Sequence, residues 1–486
     1  MLPVLESSQH LPYPKRPKTP DSTDRKKAVL YSIHVYISTR PKSWLIFSFL
    51  LLQLLFVLLI RSLPVSVSPR HFNLPSNPII NNNSSRDSCS SGKVYVYEIP
   101  AMFNKELHDN CQDLNPWSSR CDVLSNAGFG RRATGLDGLV PKNLAPAWYW
   151  TDQFASEIIF HNRILRHRCR TLNPKAATAF YIPFYAGLAV GKYLWSSKYT
   201  DQDRDFHCQM LLKWVLEQPF WNRSSGWDHF MMMGRITWDF RRTRDGDWGS
   251  SCINLPEMRN ITRLLIERSP WDYFDVGVPY PTGFHPRTES DIRQWQDFVR
   301  SRNRMNLFCF AGAARKAFKN DFRGILLQQC RDESDSCQAL DCAGSRCSNG
   351  TSAFLEMFLN SDFCLQPRGD SFTRRSIFDC LVAGSIPVFF WKRSAYYQYE
   401  WFLPDEPTSY SVFIHRNEVK NGTSIKSVLE RYSREEVKRM RETIIDYIPK
   451  FLYSEPEDGL GSIKDAFDVA VDGILKRFSD GWKDQW

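Results

Sequence analysis

Arginine gathers in one short stretch late in the chain. Residues 361–390, SDFCLQPRGDSFTRRSIFDCLVAGSIPVFF, set Arg368, Arg374 and Arg375 around Gly369 and Ser371, with Asp379 five residues beyond Arg374. Guanidinium forks match phosphate oxygens. Gly369 lets the backbone approach a ligand closely, and a helix starting near Ser371–Thr373 offers free N–H groups and the positive end of its dipole. The chemistry this favours is binding of a phosphate ester, with Asp379 placed to accept hydrogen bonds from a ribose. A plainer reading stands beside it. An ordinary strand–helix unit would leave the arginines solvated and pair Asp379 with Arg375 one turn back; a Gly-containing loop alone does not decide.

The elements around this loop must hold it at a strand end. The apolar run Phe363–Leu365 enters it, a helix over Phe372–Val382 follows, Gly384 stops that helix, and Ile386–Phe390 reads as a second buried strand. Such units build parallel sheets, which bind ligands outside the carboxyl ends of their strands. Upstream, strands are expected at Val94–Tyr97, Ala179–Pro183, His229–Met233 and Val276–Pro279, with helices over Ala147–His167 and Phe206–Gln218. The polar residues 286–304 read as a join. A second set then begins with a strand at Asn306–Phe310, the loop Ala311–Arg315 and a helix over 314–329. It closes with a strand at Tyr410–Ile414 and helices near 434–448 and 462–478. Two successive α/β sets imply two domains facing across a cleft.

The chain has 486 residues, 14% of them aromatic, and a formal net charge of +10. Residues 1–43 hold Lys15, Arg16, Lys18, Arg25, Lys26, Lys27, Arg40 and Lys42 against Glu6, Asp21 and Asp24, which is half of that excess. The remainder is only mildly basic, which argues against a nucleic-acid surface. Trp44–Ile60 carries no charge and is long enough to span a bilayer. The basic excess on its amino side places residues 1–43 in the cytosol and the rest in a lumen. The basic region is too long, and a small-residue cleavage site too poorly marked, for a signal peptide. All 13 cysteines follow this span. So do the sequons at Asn82, Asn83, Asn222, Asn260, Asn349 and Asn421. Cys330, Cys337, Cys342 and Cys347 lack the tight pairs of a zinc site, so disulfides are expected, with at least one cysteine left over. The organisation read from this is a cytosolic tail (1–43), a transmembrane signal anchor (44–60) and a Ser/Asn/Pro-rich stem (61–92). Then come an N-terminal domain (93–290), a C-terminal domain (291–450) and a C-terminal helical segment (451–486).

Several longer segments carry a family likeness: VYVYEIP at 94–100, WYWTDQF at 148–154, FYIPFYAGL at 180–188, WNRSSGWDHF at 221–230, GRITWDFRR at 234–242, VPYPTGFHP at 278–286 and LFCFAGAAR at 307–315, with the 361–390 block. In these the chain resembles the exostosin-type glycosyltransferases, and within them the plant xyloglucan galactosyltransferase branch. The resemblance covers about 91–450. It implies an α/β GT-B fold of two Rossmann-like domains, and an inverting, metal-independent transfer from a nucleotide sugar in the Golgi. The donor would bind the C-terminal half and the acceptor mainly the N-terminal half. Many exostosin relatives have glutamate where Asp379 stands. The branch implies UDP-galactose as donor and xylosyl side chains of xyloglucan as acceptor, in cell-wall synthesis. UDP-galacturonate or UDP-arabinose remain alternative donors. The implied partners are these two substrates, the membrane through one N-terminal helix, and other Golgi glycosyltransferases.

Inversion needs a base for the acceptor hydroxyl and positive groups for the departing diphosphate. For the diphosphate and ribose the candidates are Gly312, Arg315, Arg368, Gly369, Ser371, Arg374, Arg375 and Asp379. For the base they are His229 or Asp228, with Asp239 in reserve. Trp148, Tyr149, Trp150, Tyr185 and Trp238 are candidate faces for the acceptor, although each serves a core equally well. Asp201-x-Asp203-x-Asp205 and Asp245-x-Asp247 have the spacing of a Mn²⁺ motif but follow no apolar strand, so no metal site is expected. A non-catalytic carbohydrate-binding scaffold would not need the arginines, and a glycoside hydrolase would need a carboxylate pair that the sequence does not offer.

Overall fold

In the computed structural model, residues 89–315, 321–342 and 352–481 are described, together with Gln53. The expected cytosolic tail, membrane anchor and most of the stem lie outside them, as do Asn82, Asn83 and Asn349. Among the described residues no helix is long and apolar enough to cross a membrane.

Among the described residues eleven strands form two sheets, parallel throughout. The first contains β1 (Val94–Val96), β2 (Arg170–Thr171), β3 (Ala179–Tyr181), β4 (His229–Ile236), β5 (Thr262–Glu267) and β6 (Asp275–Gly277), in the order β2-β1-β3-β4-β5-β6. The second contains β7 (Asn306–Gly312), β8 (Cys337–Asp341), β9 (Ser361–Gln366), β10 (Ile386–Phe389) and β11 (Val412–Phe413), in the order β11-β10-β9-β7-β8. In each sheet the second strand lies outside the first and the third on its other side, the doubly wound pattern with a switch point beside the first strand. In the second sheet that point falls between β7 and β9. The arginine loop leaves β9 there, as the strand–loop–helix reading expects.

The main helices are α1 (Ser156–Arg166), α2 (Ala186–Gly191), α3 (Asp201–Leu216), α4 (Glu289–Ser301), α5 (Phe322–Asp332), α6 (Ser352–Leu359), α7 (Ser376–Val382), α8 (Arg434–Tyr447) and α9 (Ala466–Gly481). α4 corrects the reading of residues 286–304 as a polar join. It buries Ile292, Trp295 and Val299 at helical spacing, and Trp295 donates its indole N–H to the Val382 carbonyl at 2.9 Å. The Trp148 and Phe284 rings pack on Trp295 with centroids 5.1 and 5.2 Å away, so a single side chain joins the core of both halves. α7 begins at Ser376, four residues later than expected. α1 begins at Ser156, leaving 148–154 as loop.

The C-terminal segment returns to the first half. Phe467 packs on Phe160 with centroids 5.2 Å apart. The buried Asp465 pairs with Arg163 of α1 and accepts from the Ser454 N–H at 2.8 Å. The end of β6 also touches the turn that follows β10. A side chain at Gly277 would place its Cβ 1.9 Å from the Gln398 carbonyl oxygen, so the close approach requires glycine there. Five disulfides are described: Cys89–Cys169, Cys111–Cys121, Cys208–Cys252, Cys330–Cys337 and Cys364–Cys380. Cys342 is disulfide-bonded as well. The buried Cys309 is the free thiol among the described residues.

Candidate active site

The carboxyl ends of both sheets open onto one pocket of about 750 Å³. From the first half come Arg120, Trp148, Trp150, Thr151, Asp152 and Phe154, then Ile236 at the end of β4, Glu267 at the end of β5, and Tyr280 and Thr282 after β6. From the second come Arg323, Gly369–Ser371, Thr373–Ser376 and Asp379.

The second-half wall is cationic: Arg323 and Arg374 line it, and Arg315 and Arg368 stand nearby but outside the lining. Arg374 donates to the Ala311 carbonyl at 2.9 Å through Nη2, while its Nη1 is sealed from solvent with no hydrogen-bond partner. Burial, then the neighbouring Arg323 and Arg315, pull its pKa down to about 9. Arg323 and Arg368 are also held below the ordinary arginine range, by burial first and then by Arg315. Arg315 bonds the Gly369 carbonyl at 3.0 Å and pairs with Asp370. Asp370 is 94% exposed and offsets only part of the charge of these four guanidinium groups. Arg368 donates to the Ser371 carbonyl at 3.2 Å and lies over the Trp391 ring. Gly369 is required for the loop's shape, because a Cβ there would sit 2.3 Å from the Thr373 carbonyl oxygen. Cys364–Cys380 ties β9 to α7 and so brackets the loop.

Other donor-side candidates are placed differently. Arg375 lines the pocket but reaches across it, donating to the Thr151 carbonyl and pairing with Asp379 at 3.3 Å. The one-turn pair is thus present, although both partners still face the pocket. Gly312 ends β7 behind the lining residues, where a Cβ would meet the Phe310 ring at 2.7 Å. Thr373 N–H is not free: it donates to Glu267 Oε2 at 2.9 Å.

The expected bases are not brought to the pocket. His229 and Asp228 stand at the amino end of β4, while the pocket lies at its carboxyl end. Both are fully buried. His229 bonds Asp228 at 2.7 Å and the Tyr97 hydroxyl at 2.9 Å, and Asp228 also holds Arg223 and Ser224. These contacts make a structural network. Asp239 follows β4 at the correct end, but Arg235 and Trp248 occupy its two oxygens at 2.6 and 2.8 Å. Among the aromatic candidates, Trp148 and Trp150 line the pocket, and the Trp148 indole N–H is buried without a partner. Tyr149 turns to Glu455, and Tyr185 to His161, at 3.1 and 2.9 Å. Trp238 is 62% exposed and outside the lining. The acidic pairs with metal-motif spacing serve elsewhere. Asp203 completes the capping box of α3, and Asp201 and Asp205 pair with Arg242. Among the described residues no group of three or more His, Cys, Asp or Glu is placed to hold a metal. Asn222 and Asn421 are exposed, and Asn260 is partly so.

Glu267 and Arg323 are the residues that sequence reasoning missed. Glu267 is fully buried at the pocket floor. Burial raises its carboxyl pKa to about 7 against the lowering effect of Ser371, Thr373 and Phe372, and Oε1 has no hydrogen-bond partner. The signal was a strand ending in a charge, Thr262-Arg263-Leu264-Leu265-Ile266-Glu267.

The chain is similar to known proteins along most of its length. The family model of the exostosin GT47 domain matches residues 88–431. The xyloglucan galactosyltransferase XLT2 of Arabidopsis thaliana is 58% identical over 100% of this chain and 99% of that protein. The Arabidopsis xyloglucan galactosyltransferase MUR3 is 41% identical over 81% of this chain and 64% of its own length. The Arabidopsis xyloglucan-specific galacturonosyltransferase 1 is 39% identical over 82% and 59%. Among solved structures, the GtfA/B complex aligns with a TM-score of 0.28 at 9% identity, over 56% of this chain and 61% of that one. With a family model spanning most of its length and a relative matching it end to end, the chain belongs to the exostosin GT47 family of glycosyltransferases.

Proposed function

We propose that the protein transfers galactose from UDP-galactose to xylosyl side chains of xyloglucan, with inversion at the anomeric carbon. The observation that carries the reading is the pair Arg323 and Arg374 on the second-half wall, with Arg315 and Arg368 nearby outside the lining and Arg374 Nη1 buried and unpartnered. Such a cluster is costly until an anion of more than one charge arrives. The β-phosphate of a nucleotide diphosphate meets that need, and the same groups stabilise it as the sugar departs. Trp150 offers a face to the acceptor from the opposite wall, whereas Trp148 touches the pocket but packs its ring on Phe284 and Trp295. The choice of galactose and xyloglucan is supported by the end-to-end similarity to XLT2.

A donor screen tests this. The purified domain after the membrane-anchor stretch is incubated with UDP-galactose, UDP-galacturonate or UDP-arabinose and defined xyloglucan oligosaccharides. UDP release that requires acceptor and is fastest with UDP-galactose is the expected result. Preference for UDP-galacturonate would move the protein toward the reaction named for its 39%-identical relative. Binding without turnover would make it a scaffold. Trp150→Ala should raise the acceptor KM by about tenfold, the scale of an aromatic contact worth ~1.5 kcal/mol, and leave the donor KM unchanged in initial-rate kinetics.

The reaction is expected to run without metal, since guanidinium groups can themselves supply the positive charge that a departing diphosphate needs. Full activity in EDTA is the predicted outcome; complete loss with recovery on adding Mn²⁺ would refute it. We place the enzyme in the Golgi membrane as a single-pass type II protein with its catalytic part in the lumen. Six sequons and 13 cysteines after the apolar Trp44–Ile60 stretch support this placement. Protease protection of the folded domain in sealed Golgi vesicles is its test.

A further inference from the structure

We propose that Glu267 is the general base that takes the proton from the acceptor hydroxyl. This rests on the transferase reading above. Five carboxylates line the pocket: Asp122, Asp152, Glu267, Asp370 and Asp379. Asp152, Asp370 and Asp379 are each paired with an arginine, Arg120, Arg315 and Arg375 respectively. Asp122 is exposed on a short helical turn. Glu267 alone is buried and has no ion-pair partner within the described residues, and its Oε1 lone pairs are unused.

Its position fits the stereochemistry. An inverting displacement needs the base on the face of the sugar away from the leaving group. The arginines belong to the second half, and Glu267 ends β5 in the first half, with its carboxylate meeting the donor loop at Thr373. The Oε2 bond to the Thr373 N–H at 2.9 Å ties the carboxylate to the loop that holds the donor, so base and donor are located by the same segment.

The step balances with groups already named. The acceptor oxygen forms a bond to the anomeric carbon as the bond from that carbon to the β-phosphate oxygen breaks. The bonding pair leaves on UDP, and the hydroxyl proton passes to Glu267 Oε1. Burial, which raises the carboxyl pKa to about 7, makes this group a far better proton acceptor than a solvated glutamate. The sign follows: protonation below about 7 removes the base, so kcat falls on the acid side and levels off on the alkaline side.

Glu267→Gln is the deciding variant, because the amide oxygen still accepts from Thr373. The expected result is UDP affinity by calorimetry close to wild type, with kcat at saturating donor and acceptor reduced by about 10²–10⁴-fold. The acid limb should disappear from the residual activity. A kcat within a few-fold of wild type overturns the assignment. Loss of UDP binding together with kcat also overturns it, since that marks a residue that only shapes the loop. Should the variant fail to fold, the wild-type profile decides: a kcat independent of pH on both sides of 7 overturns the proposal, and a single-proton acid limb supports it. A wild-type protein that turns over no donor refutes the transferase reading. One that transfers normally while Glu267→Gln keeps pace refutes Glu267 alone.

Discussion

Arg374→Ala should cost one to two powers of ten in donor kcat/KM and weaken UDP binding to match. The side chain has one nitrogen committed to the Ala311 carbonyl and one buried nitrogen with no partner, at the edge of the pocket. A hydrogen bond to a charged group is worth about 1.5–3 kcal/mol, and each ~1.4 kcal/mol is tenfold. Lysine in its place should recover only part of the loss, because a point charge cannot bond Ala311 and a phosphate oxygen as a fork does. There is also a pH consequence. The free protein holds this guanidinium near a pKa of about 9, so UDP affinity should decline above that pH as the cation is lost. Calorimetric titration of UDP into both proteins across that range is the check. Wild-type affinity in Arg374→Ala would remove the diphosphate assignment.

Asp465→Ala should be the most destabilising single change at the C-terminal segment. Arg163 and Asp465 are both buried, and Asp465 also holds the Ser454 N–H and hydroxyl. Removing the carboxylate leaves the buried guanidinium with only Asp468, at 3.5 Å, as counter-charge, a loss of about 3 kcal/mol. Replacing both residues together, Arg163→Met with Asp465→Leu, should recover much of that, since the lone buried charge is gone. Urea unfolding of the purified domain would measure both. An Asp465→Ala midpoint equal to wild type would show that water reaches the pair.

The second sheet was the easier one to read. Its strands β9 and β10 hold the continuous apolar runs Phe363–Leu365 and Ile386–Phe389, which strands covered on both faces produce, whereas β8, Cys337–Asp341, holds none and was missed. The loop arginines were legible for the same reason, lying directly after one of those runs. β5 was missed because Arg263 and Glu267 are fully buried charges on a six-residue strand. Hydrophobic pattern assigns charges to the surface, and only the tertiary partners Asp275, Asp272 and the donor loop explain them. α4 escaped because one inward face, Ile292, Trp295 and Val299, sits in an otherwise charged segment. Arg323 escaped because an arginine in a helix ordinarily reads as solvated.

His229 stands away from the pocket for a different reason. An imidazole beside an aspartate looks catalytic by residue type, but in a parallel sheet the ends of a strand are not equivalent. Residues opening the apolar run His229–Met233 start a strand, and the ligand side lies at its finish. Strand direction was available in the sequence and already argued against this histidine. Glu267 closes the next strand at the ligand end, but that strand was not read from the sequence.

The polypeptide passes between the halves twice, once near 278–288 and again near 449–454, and these two passages are fastened to each other. Glu455 donates its backbone N–H to the Pro286 carbonyl at 3.0 Å, and His285 Nδ1 lies 2.6 Å from the Tyr453 carbonyl oxygen. A body joined by one tether can swivel in any sense, whereas one joined by two riveted tethers keeps a single axis, like the spine of a book. Any gaping that admits a bulky polysaccharide branch must therefore swing about that spine, with Gln398 and Tyr399 letting go of Arg268 and Ile266. Cutting the second tether by ending the chain before residue 452 would free the covers to slide as well as swing.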